Sequence, residues 1–443
     1  MKIPSEILLS VLLILSIPGE GAAADKTMKR IDDPVVVEGK DLAPLVGKRI
    51  DRLSLMAWTR GSFQPVPFQV DKRDKDNKYI FTEGPKRKPI SDPTLGGNDE
   101  LVFMIFDAGG RAPQGQVPSG AEEGMELELI DPVDGGRAWV YLFSFAHDAP
   151  VSDRNYITGS FDVATHVWRV EAKNYIIEFK ENAIYFHYLS LRQPDGTLSP
   201  DLVDRLKIRG KFSFLFGSIK IPFKADEDIK TQITAWKNGP VRLLVRGEGY
   251  IDKWAKIRLE GYSVLRFYPG FYILPITLAV PFDLNRVLTK FDLRGYTDFT
   301  ESIYGAHFFD KYNPWNPDVV FDGKMDDAEK NLNTTEDRDW VAGFGPYGAI
   351  VNRIVFPKEW SFVKKRLYYV DDAQKADPPE DNPGLVAVGY EFDGFIDIKK
   401  GQPTYWLHFY FPQGFTVGDQ GQILNIMDHP LEAKAYPVDG IRR

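Results

Sequence analysis

Residues 241–268 read VRLLVRGEGYIDKWAKIRLEGYSVLRFY, and this stretch decides the fold. Arg242, Leu244, Arg246, Glu248 and Tyr250 share one parity; Val241, Leu243 and Val245 share the other. Beyond them, Trp254, Lys256, Arg258, Glu260 and Tyr262 alternate with Ala255, Ile257 and Leu259. Successive strand side chains point to opposite faces, so both runs are expected to be strands with one apolar face and one face of charges and aromatics. With Ile251, Asp252 and Lys253 as the hairpin loop, Tyr250 falls opposite Trp254, Glu248 opposite Lys256, and Arg246 opposite Arg258. A two-residue loop there would set one strand's polar residues on the other's apolar face, so the pattern selects the register. Arg266 continues the polar parity, and Trp236 joins it from the preceding run at 229–237. The candidate ligand-binding set is therefore Trp236, Arg246, Trp254, Arg258, Tyr262 and Arg266. Arginine binds anionic groups bidentately and aromatics stack on flat ligands, so a saccharide, neutral or anionic, suits this face. The alternative is the ordinary wet side of an antiparallel sheet, with cross-strand charge pairs and no ligand.

The N-terminus reads as an export signal. Lys2 precedes an apolar run at 7–17 interrupted only by Ser10 and Ser16. Pro18, Gly19 and Gly21 follow, then Ala22-Ala23-Ala24, a small-residue cleavage site. The run is too short to cross a bilayer, so residues 1–24 are expected to be a cleaved signal peptide and Asp25 the mature N-terminus. No later segment is long and apolar enough to span a membrane. The net charge is a mild −8, which gives no support to nucleic-acid binding. The chain has no cysteine, which excludes disulfides, thiolate metal sites, cysteine nucleophiles and covalent haem. A secreted eukaryotic protein of this size would carry disulfides, so a bacterial periplasmic or extracellular location is expected.

Aromatic residues make up 13% of the chain, and with many Val and Ile they favour strands. Residues 25–150 hold short runs separated by Gly- and Pro-rich turns, such as Gly96-Gly97-Asn98-Asp99 before the apolar run at 100–106. This is the pattern of a small β-sandwich. From 151 to 443 the runs lengthen, with strands expected at 161–170, 175–180, 183–189, 202–209, 211–216, 219–224, 229–237 and through 280. Phe216-Gly217-Ser218-Ile219 reads as a hairpin turn. Residues 313–339 interrupt the pattern with Pro, Asn and acids, and are expected to be a long surface excursion with a helical turn near 326–332. Strands resume at 340–356, 365–370, 385–392 and 405–411. The expected fold is all-β: a small N-terminal β-sandwich followed by one large antiparallel sandwich.

The run from Asp339 to Ile350, with Gly343, Gly345 and Gly348, resembles the strand–turn–strand of galactose-mutarotase-like supersandwich domains. Residues 395–402 and the aromatic run at 405–411 resemble that fold's closing hairpin. Residues 66–71 and 98–103 resemble a small β-domain that precedes such supersandwiches in exported bacterial proteins. The resemblance implies a carbohydrate-related role, since some relatives are polysaccharide lyases. Mutarotase chemistry needs a His and a carboxylate around a sugar ring, and none of the six His here matches the family's catalytic positions, so the resemblance implies fold and not activity.

The candidates for catalysis are His187, near Glu178 and Glu181, His307, and Glu391. A histidine base needs a carboxylate to orient it and a proton within reach, and no spacing here specifies either. A structural or surface role is the alternative for each. Asp71, Asp74 and Asp76 look like part of a calcium loop but lack its Gly and terminal Glu, and Asp322, Asp326 and Asp327 fit a solvated acidic loop. No metal site and no cofactor is therefore expected. Gly343 to Gly348 fits a dinucleotide fingerprint by letter only, because Pro346 and the β-rich continuation leave no helix to open. An outer-membrane barrel is disfavoured by the Ile441-Arg442-Arg443 terminus and the long charged segments. Two roles follow: a carbohydrate-binding or carbohydrate-active protein using the polar sheet face, or a non-catalytic envelope protein that binds a partner protein.

Overall fold

The computed structural model describes residues 23–180, 185–214, 219–254 and 257–439, with backbone alone for 251–254, 257–260 and 278. The expected signal peptide, apart from its last two residues, and the turn at Gly217-Ser218 lie outside the described residues, as does Glu181.

The first seven strands are β1 (Pro34–Glu38), β2 (Leu53–Thr59), β3 (Ser62–Pro65), β4 (Gln69–Asp71), β5 (Glu100–Met104), β6 (Ala121–Ile130) and β7 (Arg137–Phe145). They form two antiparallel sheets, one of order β1-β5-β4 and one containing β6-β7-β2-β3. Alternate residues of β2, β6 and β7 meet Val35, Val37, Leu101 and Phe103 in one core. β5 is a continuous apolar run because both its faces are covered: Leu101 and Phe103 face this core, and Val102 and Met104 face the large sheet.

A four-stranded meander follows: β8 (Ile157–Asp162), β9 (Val167–Ala172), β10 (Tyr175–Lys180) and β11 (Phe186–Leu191). The single strand expected at 161–170 is two strands. The Asp162 carboxylate accepts from the Ala164 and Thr165 amides and turns the chain between them.

The remaining strands are β12 (Val203–Phe214), β13 (Ile219–Lys224), β14 (Ile229–Lys237), β15 (Leu243–Trp254), β16 (Ile257–Tyr268), β17 (Phe271–Leu278) and β18 (Lys290–Phe299). After them come β19 (His307–Asp310), β20 (Trp340–Gly345), β21 (Gly348–Val355), β22 (Lys364–Asp371), β23 (Val386–Asp393), β24 (Thr404–Tyr410) and β25 (Glu432–Pro437). One sheet has the order β13-β12-β18-β23-β22; the other has eight strands in the order β14-β15-β16-β17-β24-β21-β20-β19. All pairings between strands are antiparallel, and the protein is all-β. The glycine-rich letters at 343–348 form the β20–β21 hairpin, with Gly345 opposite Gly348.

The eight-stranded sheet is the middle layer. Leu243, Val245, Phe267 and Phe409 on one face pack against Trp168 and Phe179 of the meander and Phe212 and Val388 of the five-stranded sheet. On the other face Tyr268, Ile273 and Val351 meet Val102 and Met104 of β5 and Ile423 and Ile426 of the helix Gln420–Asp428. β25 then returns to the N-terminal unit and pairs with β6, an element the sequence reading did not contain. No helix among the described residues is long and apolar enough to cross a membrane.

The β15–β16 hairpin keeps its expected faces and changes its register. Arg246 pairs with Val264 rather than Arg258, Glu248 with Tyr262, and Tyr250 with Glu260. The strands run on through the expected loop, with Ile251 opposite Leu259 and Trp254 opposite Ile257. The longer hairpin pairs backbone groups that a loop at 251–253 would leave to solvent. The partner of Arg246 shifts by an even number of residues, so the side chains of 243–250 and 261–268 stay on their own faces; beyond Ile251 the register slips by one.

The excursion at 313–339 carries its helical turn at Asp327–Lys330, closed by a capping box between Asp326 and Glu329. The buried Glu329 carboxylate accepts from the Tyr369 hydroxyl and the Asp326 amide and lies beside Asp371. Burial, joined by the charges of Asp371 and Asp326, outweighs these hydrogen bonds and pushes Glu329 up to about 7. The folded state therefore holds a proton that the unfolded chain releases. Stability from this proton is complete below the ordinary value of 4.5 and is lost as pH rises from there to about 7. The melting temperature should fall between about pH 4.5 and about pH 7, and Glu329→Gln, which cannot ionise, should flatten that fall. An identical slope in the variant would exclude Glu329 as its source.

Candidate functional site

The open site lies midway along the β15–β16 hairpin, on the outward parity. Tyr262 is 52% exposed, and Arg246, Glu248 and Tyr250 stand on the same face. Gln232 joins them from β14, where it pairs with Glu248. Lys86 comes from the N-terminal unit and Gln402 from the segment before β24. Together they bound a cleft of about 810 Å³, within the range of ~300–1,000 Å³ of small-molecule sites. Arg246 pairs with Glu248 at 3.0 Å, and Lys86 binds the other Glu248 oxygen. Partial burial pushes the Glu248 carboxyl up, but the Lys86 hydrogen bond and the Arg246 charge outweigh it and hold it below its ordinary value. Asp226 and Lys230 line it as well, so among the described residues the cleft presents carboxylate acceptors, cationic donors and exposed tyrosine.

The rest of the same face is roofed by the N-terminal unit. Glu83 and Trp236 exchange backbone hydrogen bonds, and the Lys86 amide donates to Thr234 O at 2.8 Å. Gly84, at φ +90°, lets this segment lie on β14: a Cβ there would sit 2.8 Å from Ala235 Cα. Phe81 packs on Ala235 and Leu244 beneath the roof. Tyr79 is surrounded by the guanidinium groups of Arg73, Arg242 and Arg266, at 4.8, 5.5 and 5.9 Å from its ring centroid.

Of the six residues expected to bind a ligand, the cleft collects Arg246 and Tyr262. Arg266 lies under the roof, against Tyr79. Trp236 is on the opposite face, because a β-bulge at Thr234 pairs Ile233 with Gly247 but Ala235 with Arg246 and so reverses the parity. Its ring packs on Trp168, 4.8 Å between centroids, and its Nε1 donates to Glu83 at 2.9 Å. The side chains of Trp254 and Arg258 lie outside the described residues.

The three candidates for catalysis lie on three different sheets. His187 is the bulged residue of β11, with Glu178 opposite Tyr188 and Phe179 opposite Phe186. Burial, then the Lys180 charge, lower its pKa, and its Nδ1 has no hydrogen-bond partner. His307 is in β19, at the opposite edge of the large sheet from the cleft, with its ring 4.7 Å from that of Trp315. Glu391 is exposed on β23 between its cross-strand neighbours Arg294 and Arg366. The sequence reading did not select His408, which is buried on β24, bonded through Nδ1 to Tyr410 at 3.0 Å, and lowered to about 3 by burial and Arg353.

The aspartates that resemble metal ligands have structural partners. Asp71 pairs with Lys237 and Arg242, Asp74 caps its own turn through the Asp76 and Lys78 amides, and Asp326 caps a helical turn. Gln232 was legible from the parity of β14. Lys86 and Gln402 were not, since distant segments bring them in. A scan against protein-family models finds no match for this chain, and neither does a search of the curated proteins.

Proposed function

We propose that this is an exported saccharide-binding protein of the galactose-mutarotase-like supersandwich kind, acting in the periplasm or outside a bacterial cell. The observation that carries the reading is the cleft midway along the hairpin, where exposed Tyr262 stands beside Arg246, Glu248 and Lys86. Tyrosine offers a face for a sugar ring, and the charged groups offer donors and an acceptor for its hydroxyls or carboxylate. The layered antiparallel sheets support the supersandwich resemblance, and the apolar run before Ala22-Ala23-Ala24 supports export.

The test is a thermal-shift panel of acidic and neutral oligosaccharides on residues 25–443. A ligand at 100 times its Kd should stabilise the fold by about 2.7 kcal/mol. Arg246→Ala should weaken an acidic sugar by about 10–100-fold, the worth of one charge-assisted hydrogen bond. It should leave the unliganded melting temperature unchanged, because its ion pair is partly exposed. Wild-type affinity in the variant would remove this face from consideration. No shift with any saccharide would overturn the reading in favour of a partner protein.

A further inference from the structure

The interior beside the cleft is not filled. Between the eight-stranded and five-stranded sheets lies a cavity of about 190 Å³, walled by Leu206, Phe212, Leu274, Ile276, Leu293 and Leu407 among others. Protein interiors are normally packed without voids of this size. The cause is in the hairpin sequence. The inward parity of β15 and β16 carries large apolar residues at one end, Leu243, Val245, Leu265 and Phe267. Midway along the hairpin the inward positions are Gly247, Gly249, Gly261 and Ser263, with Gly249 opposite Gly261 and Gly247 opposite Ser263. Four consecutive places on this layer thus lack a side chain able to reach the facing sheet.

Two further observations point to an occupant. The Ser263 hydroxyl is buried, lines the largely apolar cavity and has no hydrogen-bond partner. A buried polar group left unmade is costly, so a ligand or water that meets it would be favoured. The β16–β17 ladder, moreover, pairs 261–262 with 277–278 and 266–268 with 271–273, and among the described residues no pairing joins the positions between. Pro275 lies in that gap and has no N–H to give. Cleft and cavity meet beside this gap rather than in it, toward the start of β14 and the end of β17: Thr231, Gly249, Gly261, Thr277 and Ala279 line both.

We infer that the ligand is an amphiphile, a saccharide carrying an alkyl or aryl group, with its sugar in the polar cleft and its apolar group in the cavity. This rests on the saccharide reading and names the class of sugar. A dry apolar cavity of ~150 Å³ takes up benzene, so this one has room for a phenyl ring or a short alkyl chain.

The experiment compares methyl and octyl glycosides of glucose, maltose and glucuronic acid by calorimetry, below micelle concentrations, with n-octanol as the apolar probe. The octyl glycoside should bind at least tenfold tighter than its methyl partner, about 1.4 kcal/mol. Ile276→Trp should fill the cavity and abolish that difference while leaving the methyl glycoside unaffected. Leu293→Phe is a milder plug should Ile276→Trp fail to fold, and the wild-type comparison needs neither. Equal binding of methyl and octyl glycosides would overturn the amphiphile and leave the saccharide reading intact. Binding of octanol without any glycoside would overturn both in favour of a purely apolar ligand.

Discussion

Arg242→Ala is expected to lower the free energy of unfolding by about 3–5 kcal/mol, the cost of stripping one partner from a buried ion network. Arg242 is 1% exposed. Its Nε donates to Asp71 at 2.6 Å, its Nη2 to Glu100, and its Nη1 to the Tyr268 hydroxyl at 3.2 Å. Asp71 and Glu100 belong to the N-terminal unit and Arg242 directly precedes β15 of the large sheet, so these bonds fasten the two layers together. Gln69 adds to them by accepting from the Val241 and Arg242 amides. Burial pushes the Asp71 carboxyl up; the charges of Arg242 and Lys237 outweigh it and hold it below the ordinary carboxylate value. Its contribution is thus present above the unfolded value and is lost as pH falls through the lower folded one. Without Arg242, among the described residues Asp71 keeps Lys237 and Glu100 keeps Arg73 as cationic partners. Those remaining cations place the expected loss toward ~3 kcal/mol. Urea unfolding measures it. Asp71→Asn added to Arg242→Ala should recover part of the loss, because the uncompensated charge is then gone. A loss under ~1 kcal/mol would mean that this network holds nothing together.

The faces of the strands were legible in the sequence, and their partners were not. Parity is a local property, and it put Leu243, Val245 and Phe267 inside and Arg246 and Tyr262 outside without any knowledge of register. Register depends on how far a hairpin continues, and the polar alternation at 246–262 is compatible with two pairings that differ by an even shift. Trp236 was misplaced for a related reason. A bulge reverses parity, and nothing in Ile233-Thr234-Ala235 announces one. The roof over the hairpin base is wholly non-local. Tyr79, Phe81 and Lys86 read as turn and loop residues in a separate N-terminal unit, yet they decide which half of the polar face is open. The cavity has a sequence signature: Gly247, Gly249 and Gly261 share the inward parity, and three glycines on one layer predict missing volume. β25 left the weakest trace, since its alternation of Ala433 and Ala435 with Glu432 and Lys434 has little apolar contrast.

Arg338→Ala should cost a similar ~3–5 kcal/mol, concentrated at the opposite edge of the large sheet. Arg338 and Asp310 are both 0% exposed at the side chain and pair directly. The other guanidinium donors go to backbone, Nη2 to Asn333 O at 2.7 Å and Nε to Glu336 O at 3.3 Å. Asp310 also accepts from the Tyr312 and Asn313 amides at 2.7 and 2.8 Å. One arginine therefore ties both ends of the 313–339 excursion to the end of β19. Alanine leaves Asp310 buried without its cation and takes a donor from each carbonyl. Lysine should rescue little, because a single ammonium cannot span a carboxylate and two carbonyls as the planar fork does. The opening should be local, with faster amide exchange and proteolysis across 313–339 before global unfolding. The cleft is at the β14 edge and the excursion at the β19 edge, so ligand binding should survive the variant while the excursion is cut. Simultaneous loss of both would mean that the sheet transmits the damage from edge to edge, and that the excursion is a structural brace of the cleft rather than an independent surface element.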